Sequence, residues 1–476
     1  MDASVIHFLR TGNLDWIHWL GGAPRGPLSQ PDVSSGTQAA FTSSQLLQNL
    51  NFGTDNGERS CNDPLKSPRL KIPHAMLSGE TTMALRFFRP RPSGASLARP
   101  SLAMAAPTSI TEAPERNGFE PIPFPPASPL PYRLDLMEIL GVEAVDRIRA
   151  AKSMTFHTIG DSGGVKSPEA QANVSRGLER SFVANPKPAS FLYHVGDVVY
   201  YMGETNRYFD QFYEPYEHYP APIFAIPGNH DGATGSSGAR SLEGFQRNFC
   251  ASKGVYTKES MDTQRMAMFQ PYVYWCLDTP LAYFIGLYTN VPEGGLIDTE
   301  QRNWFRRQLI EAPTDRALIL ALHHPIYSFD DFHSGSPVMA KEVQDAINAS
   351  RRAPNLILTA HVHNYQRIEK QVGARTLPLL VIGNGGYWNL HGLTVAPGHQ
   401  DANTNARLVA GCDYRHGFTT IEVTHARIDG FFTTVPRPQE SWSEAAGYRT
   451  FDTFSYPAFP IRLDEGESIE LLCPSV

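Results

Sequence analysis

The spacing of apolar and polar positions changes character near residue 150. Beyond that point short apolar runs recur: MTFHTIG (154–160), FLYHVG (191–196), PIFAIPG (222–228), ALILALHH (317–324), NLILTAHVH (355–363) and LPLLVIGNGG (377–386). Each has strand length and gives way to turn or polar residues, the mark of a buried strand. Between the first two runs, SPEAQANVSRGLERSFV places Ala170, Val174, Leu178 and Phe182 on one face of a helix. Ahead of the fourth, IDTEQRNWFRRQLIEA offers Asp298 or Thr299 as an N-cap and Trp304, Phe305 and Leu309 as the apolar face. Strands alternating with helices predict an α/β sandwich, its sheets buried between helical layers. The stretch FTTIEVTHARIDGFFTTV (418–435) alternates more strictly and predicts a closing hairpin around RIDG.

Residues 1–115 carry no such period. GGAPRGPLSQPDVSSGTQ is rich in Gly, Pro and Ser, and residues 81–110 hold four arginines and no acidic residue. Such composition cannot bury enough surface to offset chain entropy. It predicts a disordered extension, transit-peptide-like in part, or a chain start nearer Met83. A Pro-rich linker and lead-in helix are expected over 116–150, a folded domain over 151–440 and a C-terminal extension over 441–476. The opening MDASVIHFLRTGNLDW lacks a basic segment followed by a clean apolar one, so no secretory signal is read. No apolar run approaches the ~18 residues that span a bilayer, and a cytoplasmic location is the expectation.

Composition narrows the partners. Of 476 residues, 41% are apolar and 19% charged, enough for a sizeable core. A net charge of −7 argues against nucleic acid or an anionic membrane as partner. The five cysteines are widely spaced with no C-x-x-C pair, so neither a disulfide scaffold nor a thiolate zinc site is indicated. Cys250 and Cys276 could pair, but buried free thiols are expected.

The polar residues that follow the runs carry the chemistry. They are Asp161 in GDSGG, Asp197 and Tyr200 in GDVVY, Asn229, His230 and Asp231 in PGNHDG, His323 and His324 in LHHPIYS, and His361 and His363 in AHVHNYQR. Loops leaving the carboxyl ends of strands gather at one edge of an α/β sheet. Two carboxylates, an amide, a phenol and several imidazoles should therefore converge, and a metal gives that set a common purpose. Oxygen and imidazole donors suit Mn, Fe or Zn. A pair of ions about 3.5–4 Å apart lowers the pKa of a bound water and holds a phosphoryl oxygen. Taken singly, each residue has a plainer reading. An Asp after a strand commonly caps a helix, PGNHD is an ordinary turn, and HVH places two histidines on one strand face. His157 and His194 lie inside apolar runs and read as core histidines, and His324 faces away from its neighbour.

The ordered blocks GDSG, GDVVY, GNHD, HHP and AHVH resemble the calcineurin-like metallophosphoesterase superfamily, and the tyrosine of GDVVY with HVHNYQR is similar to its purple acid phosphatase branch. The resemblance covers residues 150–435. It implies a four-layer α/β/β/α sandwich and a dinuclear centre, with Asp197 bridging both ions. Asp161, Tyr200 and His363 would complete the first site, and Asn229, His323 and His361 the second. His230 would contact the substrate phosphate, and His333, ten residues beyond His323, would take a catalytic or phosphate-contact role. Arg240 or Arg265, in the insertion over 232–297, could clamp a phosphate. That insertion is where substrate choice is expected to reside. The implied metals are Fe with Zn or Mn, or a Mn pair. A phenolate at Tyr200 on ferric iron would colour the protein. The implied reaction is hydrolysis of a small phosphate monoester by metal-bound hydroxide. A phosphodiesterase of cyclic nucleotides or lipid head groups is the alternative, and an inactive binding protein of the same fold a third. Two departures stand out: Ala360 where the family commonly has Gly, and Asp231 where plant and animal purple acid phosphatases have Glu.

Overall fold

A computed structural model describes residues 130–233, 240–290, 295–440 and 447–472. The extension expected over 1–115 lies outside them. The six apolar runs form strands of two sheets, all interior except the third, which lies at an edge. The first three are β2 (Ser153–Ile159), β3 (Leu192–His194) and β4 (Ile223–Ala225), parallel neighbours in a six-stranded sheet. That sheet is continued by β15 (Gly417–Thr424), β16 (Arg427–Thr434) and β17 (Arg449–Pro457), in the order β17-β16-β15-β2-β3-β4. The hairpin turn of β15 and β16 falls between Thr424 and Arg427, so RIDG lies within β16 instead of at the bend. The segment read as a C-terminal extension supplies the outer strand β17, paired antiparallel to β16.

The other three runs are β9 (Ala317–Ala321), β11 (Leu356–Thr359) and β13 (Arg375–Ile382), parallel and adjacent in an eight-stranded sheet. Beside them stand β1 (Arg133–Asp135), β7 (Trp275–Asp278), β8 (Ala282–Gly286), β12 (Tyr365–Val372) and β14 (Ala406–Cys412). The order is β1-β7-β8-β9-β11-β13-β12-β14. Small ladders join β5 (Cys250–Val255) to β6 (Ala267–Phe269), and β10 (Arg352–Ala353) to β18 (Ile461–Arg462).

The sheets meet through aromatic side chains. Phe156 of β2 packs edge-on against Phe284 of β8 at 5.2 Å, and Tyr193 of β3 stacks on the same ring at 5.3 Å. Alternation sends these rings inward while the opposite faces take helices. Helix α1 (Leu136–Leu140) leads into α2 (Val142–Ala151), which with α3 (Pro168–Ala184) covers the six-stranded sheet. In α3, Ala170, Val174 and Leu178 are buried as their spacing predicts. Helix α4 (Thr299–Glu311) is capped by Asp298, whose side chain accepts from Gln301 N at 2.7 Å. Gln308 of α4 meets Tyr283 of β8, and α5 (Pro337–Ser350) lies beside α4, so these helices cover the eight-stranded sheet. The architecture is the four-layer sandwich that the sequence implies.

Cys250, Cys276 and Cys412 are buried free thiols. No helix among the described residues is long and apolar enough to cross a membrane.

Candidate metal centre

The carboxyl ends of β2, β3 and β4 meet those of β9 and β11, and the turns that leave them are tight. Asp161 (φ 53°), Asp197 (φ 54°) and His361 (φ 66°) all adopt left-handed backbone. Few non-glycine residues do so, and those that do cluster at functional sites. The turns are laced together: Asp161 N donates to Gly196 O (3.0 Å) and Ser162 N to Asp197 O (3.1 Å). Close approach then requires glycine. A Cβ at Gly228 would stand 2.1 Å from Asp197 Oδ1, and one at Gly160 would stand 2.3 Å from the Ala360 Cβ. Ala360 is tolerated because Gly160 faces it.

Two groups of donor atoms result. In the first, Tyr200 donates its hydroxyl to Asp161 Oδ1 (3.1 Å), and His363 Nε2 lies 3.3 Å from that hydroxyl and 3.5 Å from the carboxylate. In the second, Asn229 Oδ1 lies 3.1 Å from His323 Nε2 and 2.9 Å from His361 Nδ1. Asp197 stands between them. Its Oδ2 is 3.3 Å from His323 Nε2, and its Oδ1 accepts from His230 N (2.8 Å). Asp197, His323 and His361 each offer a ligand atom within 4.8 Å of the others.

The imidazoles are aimed by backbone. His323 Nδ1 is 2.8 Å from Val195 O, and His363 Nδ1 is 2.9 Å from Asn389 O. A carbonyl only accepts, so each Nδ1 carries the proton and each Nε2 presents a lone pair, the arrangement of metal-ligating histidines. His230 Nδ1 is held likewise by Tyr201 O at 2.8 Å. Lone pairs of Nε2 nitrogens thus face carboxylate and amide oxygens in a buried space, and Asp197 Oδ2 is buried with no aligned hydrogen bond. Only a cation or a proton reconciles such a set, so these residues fit a metal.

The electrostatics agree. Burial pushes Asp161 above the ordinary carboxylate value, against the pull of His323. Burial also opposes the charge of Asp197, but His323 and His230 hold its carboxyl well below that value. Burial lowers His323, yet Asp197 and Asp161 outweigh it and raise this imidazole to about 9. The proton is wanted where a cation would sit. Burial and then His391 keep His363 well below its ordinary value, neutral and ready to ligate. Burial, followed by the charges of Asp161 and Asp197, drives the Tyr200 phenol well above 10.

The remaining candidates divide. His333 is brought to the centre, its ring 4.4 Å from that of His361. His324 is buried with Nδ1 on Thr289 Oγ1 (2.7 Å). His157 sits between Tyr219 and Ser181, and His194 between Ser162 and Gly196 N, both satisfied core histidines. Arg265 is no phosphate clamp: its guanidinium is buried against the carbonyls of Tyr216, Tyr219 and Ala221. Arg240 is exposed. Asp231 accepts from Val198 N, Val199 N and Gly228 N, tying the Asp197 turn to the Asn229 turn. Sequence reasoning missed Gln211, whose amide brackets the backbone of Tyr200 at 2.7 and 2.8 Å, and Tyr387, which stacks on Tyr200 at 4.0 Å. It also missed Asp330 and His391, which no motif marks.

Residues 154–365 match the family model of calcineurin-like phosphoesterases. No curated protein matches the chain. Among solved structures, a purple acid phosphatase from yellow lupin (Lupinus luteus) is similar at 15% identity over 64% of this chain and 53% of its own, with TM-score 0.45. The chain thus spans about half the length of that enzyme. The inner-membrane-complex anchor GAP50 of Plasmodium is similar at 15% identity over 64% and 89%, with TM-score 0.47. A dimetal phosphatase from Danio rerio is similar at 11% over 64% and 98%, with TM-score 0.39.

Proposed function

We propose that the protein is a dinuclear-metal phosphomonoesterase. The observation that carries this reading is the convergence of Asp161, Asp197, Tyr200, Asn229, His323, His361 and His363, with the lone pairs of His323 and His363 turned inward. Asp161, Tyr200 and His363 would hold one ion, Asn229, His323 and His361 the other, and Asp197 would serve both. When bound, such a pair supplies positive charge that activates water and offsets charge on the phosphoryl oxygens. Asp197 contributes the shared anionic charge, and Asp231 keeps its turn in register with Asn229. His230, with Nδ1–H engaged by Tyr201 O, meets the phosphoryl group through Nε2, and His333 joins it on the substrate side.

Iron at the first site, with zinc or manganese beside it, is the pairing that Tyr200 supports. Its phenol is held far from ionisation by burial and two carboxylates, so only a strongly charged ion makes it a phenolate. Elemental analysis of purified protein, with hydrolysis of 4-nitrophenyl phosphate and of bis(4-nitrophenyl) phosphate, tests the proposal. Two ions per chain and a preference for the monoester are expected. Fewer than two ions in active protein, or a preference for the diester, refutes it. A visible charge-transfer band that Tyr200→Phe abolishes is the expected sign of iron phenolate.

A further inference from the structure

Asp330 follows no strand run and belongs to none of the blocks that marked the site, yet its side chain is fully buried and carries four hydrogen bonds. Oδ2 accepts from Phe332 N (3.0 Å) and His333 N (2.7 Å), and Oδ1 from Asn364 Nδ2 (2.8 Å). The fourth partner is His391, whose Nδ1 lies 3.2 Å from Oδ2. A carboxylate offers about four lone-pair positions, so this one is filled. Burial pushes its carboxyl up, but the bonds from His391 and from the backbone of His333 outweigh that and keep it below its ordinary value. It is therefore an acceptor, and His391 Nδ1–H the donor.

His391 itself is 6% exposed and packed among the site's rings: 4.4 Å from His363, 5.2 Å from His333 and 5.0 Å from Phe332. Its backbone is pinned as well. His391 N donates to His363 O (3.1 Å), and His391 O accepts from Asn364 Nδ2 (3.2 Å). With Nδ1 taken by Asp330, Nε2 is the only polar ring atom left, and it makes no hydrogen bond among the described residues. A histidine fixed at three points beside a ligand histidine and a substrate-side histidine is costly to order unless that fourth atom is used.

We infer that His391 is a further substrate-contacting residue, meeting a phosphoryl oxygen through Nε2 beside His333, and that Asp330 is the positioning residue that holds both imidazoles in place. This rests on the phosphoesterase reading of the metal centre. It adds to that reading a phosphate contact drawn from the loop after β13, which lies outside the matched family segment.

The test uses the full chain loaded with metal, and inorganic phosphate as the probe. His391→Ala removes the ring, and His391→Phe keeps its packing on His363 while removing the nitrogens. Both variants should keep two ions by elemental analysis and bind phosphate roughly 10- to 100-fold more weakly, the range for a hydrogen bond to a charged group. The loss should fall on KM more than on kcat for 4-nitrophenyl phosphate. Asp330→Asn should weaken phosphate binding in the same direction. Added to His391→Ala, it should cost less than it does in the wild type, because it acts partly through that ring. Wild-type phosphate affinity in His391→Phe, loss of an ion in either His391 variant, or strict additivity with Asp330→Asn overturns the inference and leaves the metal reading standing. A wild type that holds metal but binds no phosphate overturns both.

Discussion

The two sheets bring different chemistry to the same edge. The loops of the six-stranded sheet supply oxygen: Asp161, Asp197, Tyr200 and Asn229. The loops of the eight-stranded sheet supply nitrogen: His323, His361, His363 and His391. The means of placement differ as well. The carboxylates are set by left-handed turns laced to one another and crowded by glycine, whereas His323 and His363 are set by Nδ1–H bonds to backbone carbonyls. The oxygen side thus carries carboxylate charge on rigid backbone, and the nitrogen side carries oriented rings, of which His363 is held neutral while His323 favours a positive charge beside Asp197. Losing charge should empty the centre, and losing a ring should only open one position of it.

The largest effect is expected at Asp197. Asp197→Asn keeps the shape but removes the shared charge, so both ions should leave and kcat/KM should fall on the order of 10³-fold. His363→Ala should lose one ion and keep the other. Elemental analysis of the two variants side by side decides the matter; equal losses would erase the distinction between the sheets.

Next comes the backbone. Gly228→Ala drives a Cβ into Asp197, and a displacement near 1 Å at such a site costs on the order of 10²-fold in rate. Gly160→Ala should be as harmful, but only while Ala360 is present, since the two Cβ atoms would stand 2.3 Å apart. The double change Gly160→Ala with Ala360→Gly should restore most of the activity. If it does not, the tightness of the oxygen-side turns is not what places Asp161.

A third effect tests how the halves are joined. Arg367 of β12 binds both oxygens of Asp452 in β17 at 2.7 and 2.9 Å, and Tyr365 donates to the same carboxylate while stacking on Phe432 at 4.0 Å. These contacts tie the eight-stranded sheet to the outer strands of the six-stranded one. Asp452→Ala leaves a mostly buried guanidinium short of its partner and should cost about 3 kcal/mol in denaturant unfolding, with metal content unchanged. A loss of ions at full stability would mean that this latch serves the site and not the fold.

These cases show what the sequence could and could not tell. Buried parallel strands write their own apolar runs, so all six were readable, and with five of them the donors in the loop that follows. The tyrosine and arginine of HVHNYQR were readable as a pattern but not as a latch, because Asp452 lies 85 residues past Arg367. Asp330 and His391 are 61 residues apart and meet only after folding, so no local spacing announces them. Strand β17 alternates weakly because it is an outer strand with an exposed edge, and its stretch was read as an extension. Arg265 shows the converse error. A lone arginine near a site invites a phosphate, but three carbonyls had already claimed it.

The smallest effect sharpens the contrast within one residue type. His157 belongs to the oxygen-side sheet, yet it ligates nothing: it is wholly buried between Tyr219 (2.9 Å) and Ser181 (3.1 Å). Burial lowers its pKa from 6.5 to about 3. The folded protein therefore keeps this imidazole neutral over a range where the unfolded chain takes up a proton. Where the unfolded state binds more protons, stability rises with pH, so it is lost as pH falls from 6.5 toward 3. The loss approaches about 1.4 kcal/mol per pH unit inside that window and amounts to roughly 2 kcal/mol between pH 7 and pH 5. His157→Gln can still bond both neighbours but cannot titrate. It should be somewhat less stable than the wild type at pH 7, and the gap should close as the pH is lowered to 5. Urea unfolding of both proteins at the two pH values measures this. Subtracting one from the other cancels every group they share, acid release of metal included. Parallel pH profiles would mean that His157 is not held neutral by burial, and that the histidines of the two sheets differ less than their surroundings imply.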